Sequence, residues 1–110
     1  MRRIDAKLSV YVFTEDNVYI AYCPSLDFSS CGYTIDEAKA NFEASIKEYF
    51  DYCVKNKTLD ADLISHGWSI EGQDICEPAV STLLPKSKIL QEVINMDNYQ
   101  KYSLMAPCFA

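Results

Sequence analysis

At 110 residues the chain is long enough for one modest core and too short for two, so one domain is expected. Hydrophobic residues make up 49% and charged residues 24%, which excludes an intrinsically disordered composition. The formal charge of −6 is spread out: residues 1–34 hold three basic and four acidic groups, 35–60 four and six, 61–110 three and six. With no basic segment, binding to a phosphate backbone is not expected, and a basic protein partner suits the charge better.

Residues 6–13 alternate, with Leu8, Val10 and Val12 on one face and Lys7, Ser9, Tyr11 and Phe13 on the other, which predicts a strand. Thr14 to Asn17 reads as a four-residue polar turn into a second strand, residues 18–23, so the two should pair as an antiparallel hairpin. Pro24 ends that strand, and Phe28 to Cys31 forms a short third one. Gly32 then allows the chain to turn sharply. Thr34 and Glu37 have the spacing of a capping box. Behind it, Ile35, Ala38, Phe42, Ile46, Tyr49, Phe50, Cys53 and Val54 recur at helical steps, and Glu43 precedes Lys47 in the favoured order for an ion pair. The expected unit is α+β: a three-stranded antiparallel sheet packed on one long helix, with both sheet faces bearing aromatics.

Thr58 is placed to cap a short second helix ending at Gly67, and Trp68 to Ile70 could add a fourth strand at a sheet edge. Residues 71–79 read as a polar connection. Ser87 caps a further helix to Asn95, striped by Ile89, Leu90, Val93 and Ile94. The apolar tail from Tyr102 is expected to dock, either on the sheet or on a second subunit. Residues 1–72 thus form the main domain and 73–110 a C-terminal extension.

The inventory for chemistry is thin. The five cysteines, at 23, 31, 53, 76 and 108, are widely and irregularly spaced, so neither a zinc site nor a disulfide framework is expected. They read as small apolar residues in a reducing compartment. No signal peptide or membrane-spanning run is read, which makes the cytoplasm the expected location. His66, just before Gly67, fits a helix end better than a catalytic role. Asp36, Glu37 and Glu43 would need Asp16 and Asp27 to hold a metal, yet each already suits a helix start, a helix face or a turn. There is no glycine-rich phosphate loop, and the aromatics lack the basic interleaving of a base-stacking surface. No catalytic, cofactor-binding or metal-binding residue is named.

The run VYIAYCPSLDFSSCGYTIDEAKANFEASIKEYF resembles the HicB antitoxin family in its small HicB-like form. The resemblance covers roughly residues 6–54. It is carried by Tyr19, Ile20 and Ala21, by Pro24, by Gly32, Thr34, Glu37 and Ala38, and by the helix with Asn41 and Ala44. It departs from the family's Pro-x-x-Pro-Gly-Cys turn, where Asp27-Phe28-Ser29 stands. It implies a β-β-β-α-β, partial RNase H-like fold without a nuclease site. It also implies neutralisation of a small basic HicA-like mRNA-cleaving toxin, and a homo-oligomer, here expected as a dimer. Residues 61–110 offer no basic recognition helix, so direct DNA binding is not expected. Toxin-contacting residues are not identified by the motif. The alternatives are an orphan HicB-like scaffold or small-ligand sensor, and a metal-dependent nuclease on an RNase H-like sheet.

Overall fold

The computed structural model describes residues 3–71, 74–96 and 98–109. β1 (Arg3–Glu15), β2 (Val18–Cys23) and β3 (Phe28–Gly32) form an antiparallel meander that leads into α1 (Ile35–Lys55). Then follow α2 (Leu59–Ser65), β4 (Ser69–Glu71), β5 (Asp74–Cys76), the single turn α3 (Val80–Leu83), α4 (Lys88–Asn95) and β6 (Gln100–Phe109). The fold is α+β, but the main sheet has four strands rather than three, in the order β3-β2-β1-β6. The fourth strand is the apolar tail, antiparallel to β1 along ten residue pairs from Arg3↔Phe109 to Val12↔Gln100.

Ser69 to Glu71 does not close a sheet edge. It pairs with Asp74 to Cys76 as a separate two-stranded hairpin, so the stretch read as a polar connection is partly strand. Trp68 just before it is buried in the main core, where its Nε1–H donates to the Ser25 carbonyl at 2.9 Å. The boundary expected between residues 72 and 73 lies outside the described residues.

The β1–β2 turn is tighter than the expected four residues. Glu15 pairs with Val18, leaving Asp16 and Asn17 as a two-residue loop with φ of 52° and 66°. Two left-handed residues give the loop a twist that matches the strands it joins, and Asp and Asn tolerate that region.

α1 starts with half of the expected capping box, since among the described residues the Glu37 carboxylate makes no bond back to the Thr34 N–H. Thr34 is extended, and its hydroxyl accepts the Glu37 N–H at 3.0 Å. Ala38, Phe42, Ile46, Phe50 and Cys53 point into the core at four- and three-residue steps. The expected Glu43–Lys47 pair is not closed among the described residues. The helix ends in a Schellman motif, with Lys57 at φ 58° and the Thr58 N–H bonded to the Cys53 carbonyl at 2.9 Å. Thr58 is therefore tied to the end of α1, and at φ −110°, ψ 0° its side chain does not cap α2. α2 ends in the same motif, but with glycine in the strained place: Gly67 has φ 88° and Trp68 N–H bonds to Leu63 O at 3.0 Å. Lys57→Gly is accordingly expected to stabilise the fold by about 0.5–1 kcal/mol, read as a higher urea midpoint at unchanged slope. An unchanged or lower midpoint would show that the left-handed lysine carries no strain.

The sheet is covered on both faces. Leu8, Val10, Val12, Ala21 and Cys23 pack with α1, α2 and Trp68. On the other face, Tyr11, Phe13 and Tyr22 pack with Leu83, Leu90 and Val93 of α3 and α4. The alternation read in β1 thus serves two cores. Ser87 caps α4 as expected, its hydroxyl accepting the Leu90 N–H at 3.1 Å.

Candidate functional site

The motif residues build the fold and do not converge on a site. Tyr19 is half-buried against the α1 core, Ala21 and Ala38 lie within it, and Pro24 is buried at the start of the β2–β3 turn. Gly32 is buried under the first turn of α1, while Thr34 and Glu37 are exposed at its cap. Asp16 sits at the hairpin tip and Asp27 in the β2–β3 turn. Among the described residues, no three His, Cys, Asp or Glu side chains are grouped as a metal site would need.

A cleft of about 590 Å³ lies between the β2–β3 turn, the end of α2 and the start of α4. Tyr22 and Asp27 line it on one side, His66 and Gly67 on another, and Lys86, Ser87 and Lys88 on a third. Its floor is a chain of directed hydrogen bonds. Tyr22 donates its single hydroxyl proton to Asp27 Oδ1 at 2.9 Å, so the Ser87 hydroxyl, also 2.9 Å away, must donate to Tyr22. Ser87 accepts in turn from the Leu90 N–H, so α4 is coupled to the turn through Tyr22. Asp27 takes a left-handed φ of 49° there. His66 Nδ1 lies 2.8 Å from the Asp62 carbonyl, which can only accept, so Nδ1 is the donor. The histidine is the last residue of the α2 turn, in keeping with its sequence position. With Lys86 and Lys88 outnumbering the Asp27 carboxylate on its walls, the cleft can receive a small anionic group. Ser87 is engaged as a cap and is not placed as a nucleophile.

A second polar cluster holds the β4–β5 hairpin to the sheet. β1 outruns β2, whose pairing with β1 starts only at Tyr11, so the Ser9 N–H lacks a strand partner on that side. Glu77 supplies one. Its carboxylate accepts Ser9 N–H at 3.0 Å, Ser9 Oγ–H at 2.8 Å and Ser25 Oγ–H at 2.5 Å. Since Ser25 gives its proton to Glu77, the Cys23 thiol is the donor in the 3.2 Å contact with Ser25 Oγ. Burial pushes the Cys23 thiol up to about 11, so it is a poor nucleophile.

Three tyrosines are held neutral by their surroundings. Burial, with the Asp27 hydrogen bond and charge adding to it, pushes Tyr22 up to about 12. Burial and the nearby Glu43 charge push Tyr102 up to about 12 as well. Tyr49 is also raised, by burial and by its hydrogen bond to Asp62. The unfolded chain loses these protons near pH 10 and the native state later, so their contribution is complete below pH 10 and lost as pH rises towards 12. The urea midpoint is expected to be flat from pH 8 to 9.5 and to fall beyond it. The buried Tyr102 hydroxyl has no hydrogen-bond partner among the described residues. Tyr102→Phe should therefore hold or raise stability at pH 8 and reduce the alkaline loss. A midpoint unchanged up to pH 12 would contradict both expectations.

The cleft was not legible in the sequence because it draws on three separated stretches. The Lys86-Ser87-Lys88 run at a helix start is the one local signal that could have marked it. Compared with protein-family models, curated proteins and solved structures, the chain matches none. Among the described residues, no helix is long and apolar enough to cross a membrane.

Proposed function

We propose that the chain is a HicB-like antitoxin, a cytoplasmic, non-enzymatic binding domain with a partial RNase H-like core. It neutralises a small basic HicA-like mRNA-cleaving toxin by covering the toxin's active surface, and it acts as a homodimer. The observation that carries this reading is the continuity of the motif. The β1–β2 hairpin, the Pro24 turn and the Gly32–Ala38 junction form one meander under one helix, as the family resemblance implies. Charge supports it: Asp36, Glu37 and Glu48 of α1 are exposed, and such a surface steers a basic partner. The test is co-expression with a small basic protein encoded beside this one. Co-purification and suppression of that protein's RNA cleavage are expected. If no basic neighbour exists, or if cleavage persists in a mixture of the two, the antitoxin reading falls.

The cleft favours a second reading, a HicB-like scaffold that senses a small anionic ligand. Lys86→Glu with Lys88→Glu separates the two. Loss of toxin suppression would place the toxin at the cleft, whereas binding of small anions that this pair abolishes, in a chain with no toxin to suppress, would support a sensor.

A further inference from the structure

We infer that the β6 edge and the adjoining flank of α1 form an isologous interface in which β6 pairs antiparallel with β6 of a second copy. This rests on the homodimer part of the proposal above and is independent of the toxin. The main sheet has two edges, β3 and β6. At the β3 edge, the Asn41 side-chain amide donates to the Cys31 carbonyl at 2.9 Å and occupies an outward acceptor. The β6 edge is ten residues long, and no hydrogen bond to its outward side is found among the described residues.

Which β6 groups face outward follows from Ser9. Its N–H is given to Glu77, on the side of β1 away from β6, so Ser9↔Ser103 is not a hydrogen-bonded pair. Alternation along an antiparallel ladder then makes Leu8↔Leu104 and Val10↔Tyr102 the bonded pairs. Lys101, Ser103 and Met105 therefore direct their backbone groups away from the sheet, as does Pro107, which has no N–H to offer on that side. Met105 is 56% exposed there. Two such strands can join only through odd-numbered residues.

The helix beside this edge supplies the self-complementarity. Glu43, Lys47 and Asp51 line a groove of about 380 Å³ with Ile46, Phe50, Leu104, Met105 and Ala106. One turn earlier, Lys39 Nζ lies 4.7 Å above the Tyr102 ring. The flank therefore reads plus, minus, plus, minus at four-residue steps. A two-fold axis midway between Glu43 and Lys47 places Glu43 against the second copy's Lys47 and Lys39 against its Asp51, with every opposition attractive. Neither Glu43 nor Lys47 is in an ion pair among the described residues, so both are available. That midpoint lies about 9 Å along α1 from Lys39. The same advance along β6 from Tyr102 takes roughly three residues and reaches Leu104 or Met105. With the axis at Leu104, Ser103 and Met105 of opposite copies exchange backbone bonds, the Lys101 N–H donates to the Pro107 carbonyl, and the two Leu104 side chains meet over the groove.

Sedimentation of the full chain at rising concentration, with amide exchange, tests this. A dimer is expected, with Ser103 and Met105 amides protected. Lys47→Glu sets like charges together twice and should raise the dissociation constant about tenfold or more, with loss of that protection. Glu43→Lys combined with Lys47→Glu should restore both. A chain monomeric at hundreds of micromolar overturns this interface and the homodimer together. A dimer indifferent to Lys47→Glu, or one with unprotected Ser103 and Met105, overturns the interface and leaves the homodimer standing. Neither outcome bears on toxin binding.

Discussion

Gly32→Ala is expected to cost about 2–4 kcal/mol, or to prevent folding, although alanine is only one methyl larger and the site is a strand end. A Cβ built at Gly32 would lie 2.6 Å from the Ala38 backbone N and 2.9 Å from the Glu37 carbonyl carbon. Both belong to the first turn of α1, which the Thr34 cap fixes from one side and the core burial of Ala38 from the other. The helix cannot retreat without losing one of them. Glycine is thus required here for close approach of strand to helix, rather than for the freedom to turn that the sequence suggested. Urea denaturation against Ser29→Ala, an exposed position on the same strand, supplies the control, which should stay within about 0.5 kcal/mol of the parent. If the two variants unfold together, the packing of β3 on α1 is looser than described.

Glu77→Ala should cost a similar amount, about 2–4 kcal/mol. It would leave the Ser9 N–H and the Ser25 hydroxyl without their acceptor, and Ser25 is fully buried. Glu77→Gln is expected to fall between, because the amide keeps one acceptor oxygen and gains a nitrogen that cannot accept. Amide exchange should show the Ser9 N–H and the β4–β5 hairpin loosened before the rest of the sheet. A loss below about 0.5 kcal/mol for the alanine variant would mean that water replaces the carboxylate freely.

These two residues mark where sequence reasoning holds and where it stops. The hairpin, α1 and α4 were legible because their signals are local: alternation in residues 6–13 and 18–23, and capping hydroxyls at Thr34 and Ser87 followed by apolar steps. The tail's docking was readable from its apolarity, but its partner was not, since pairing with β1 depends on residues nearly a chain length away. Trp68 to Ile70 alternate as an edge strand would, yet three residues carry too little pattern to choose between the main sheet and β5. Glu77 sits in a polar run with no feature of its own. What defines it is the unpaired stretch of β1 that it serves.

The pairing of β1 with β6 also governs how the chain reaches this state. Meander, α1 and their contacts join neighbours in sequence and can form early, whereas the longest ladder of the sheet joins its first strand to its last. Closing so large a loop is entropically slow, so final assembly is expected to lag the collapse of the meander on α1. During synthesis, the apolar edge of β1 then stays open until residue 100 and beyond have emerged. In that interval β1 can recruit a neighbouring chain's β6, so the same strand that completes the monomer can also entangle two of them.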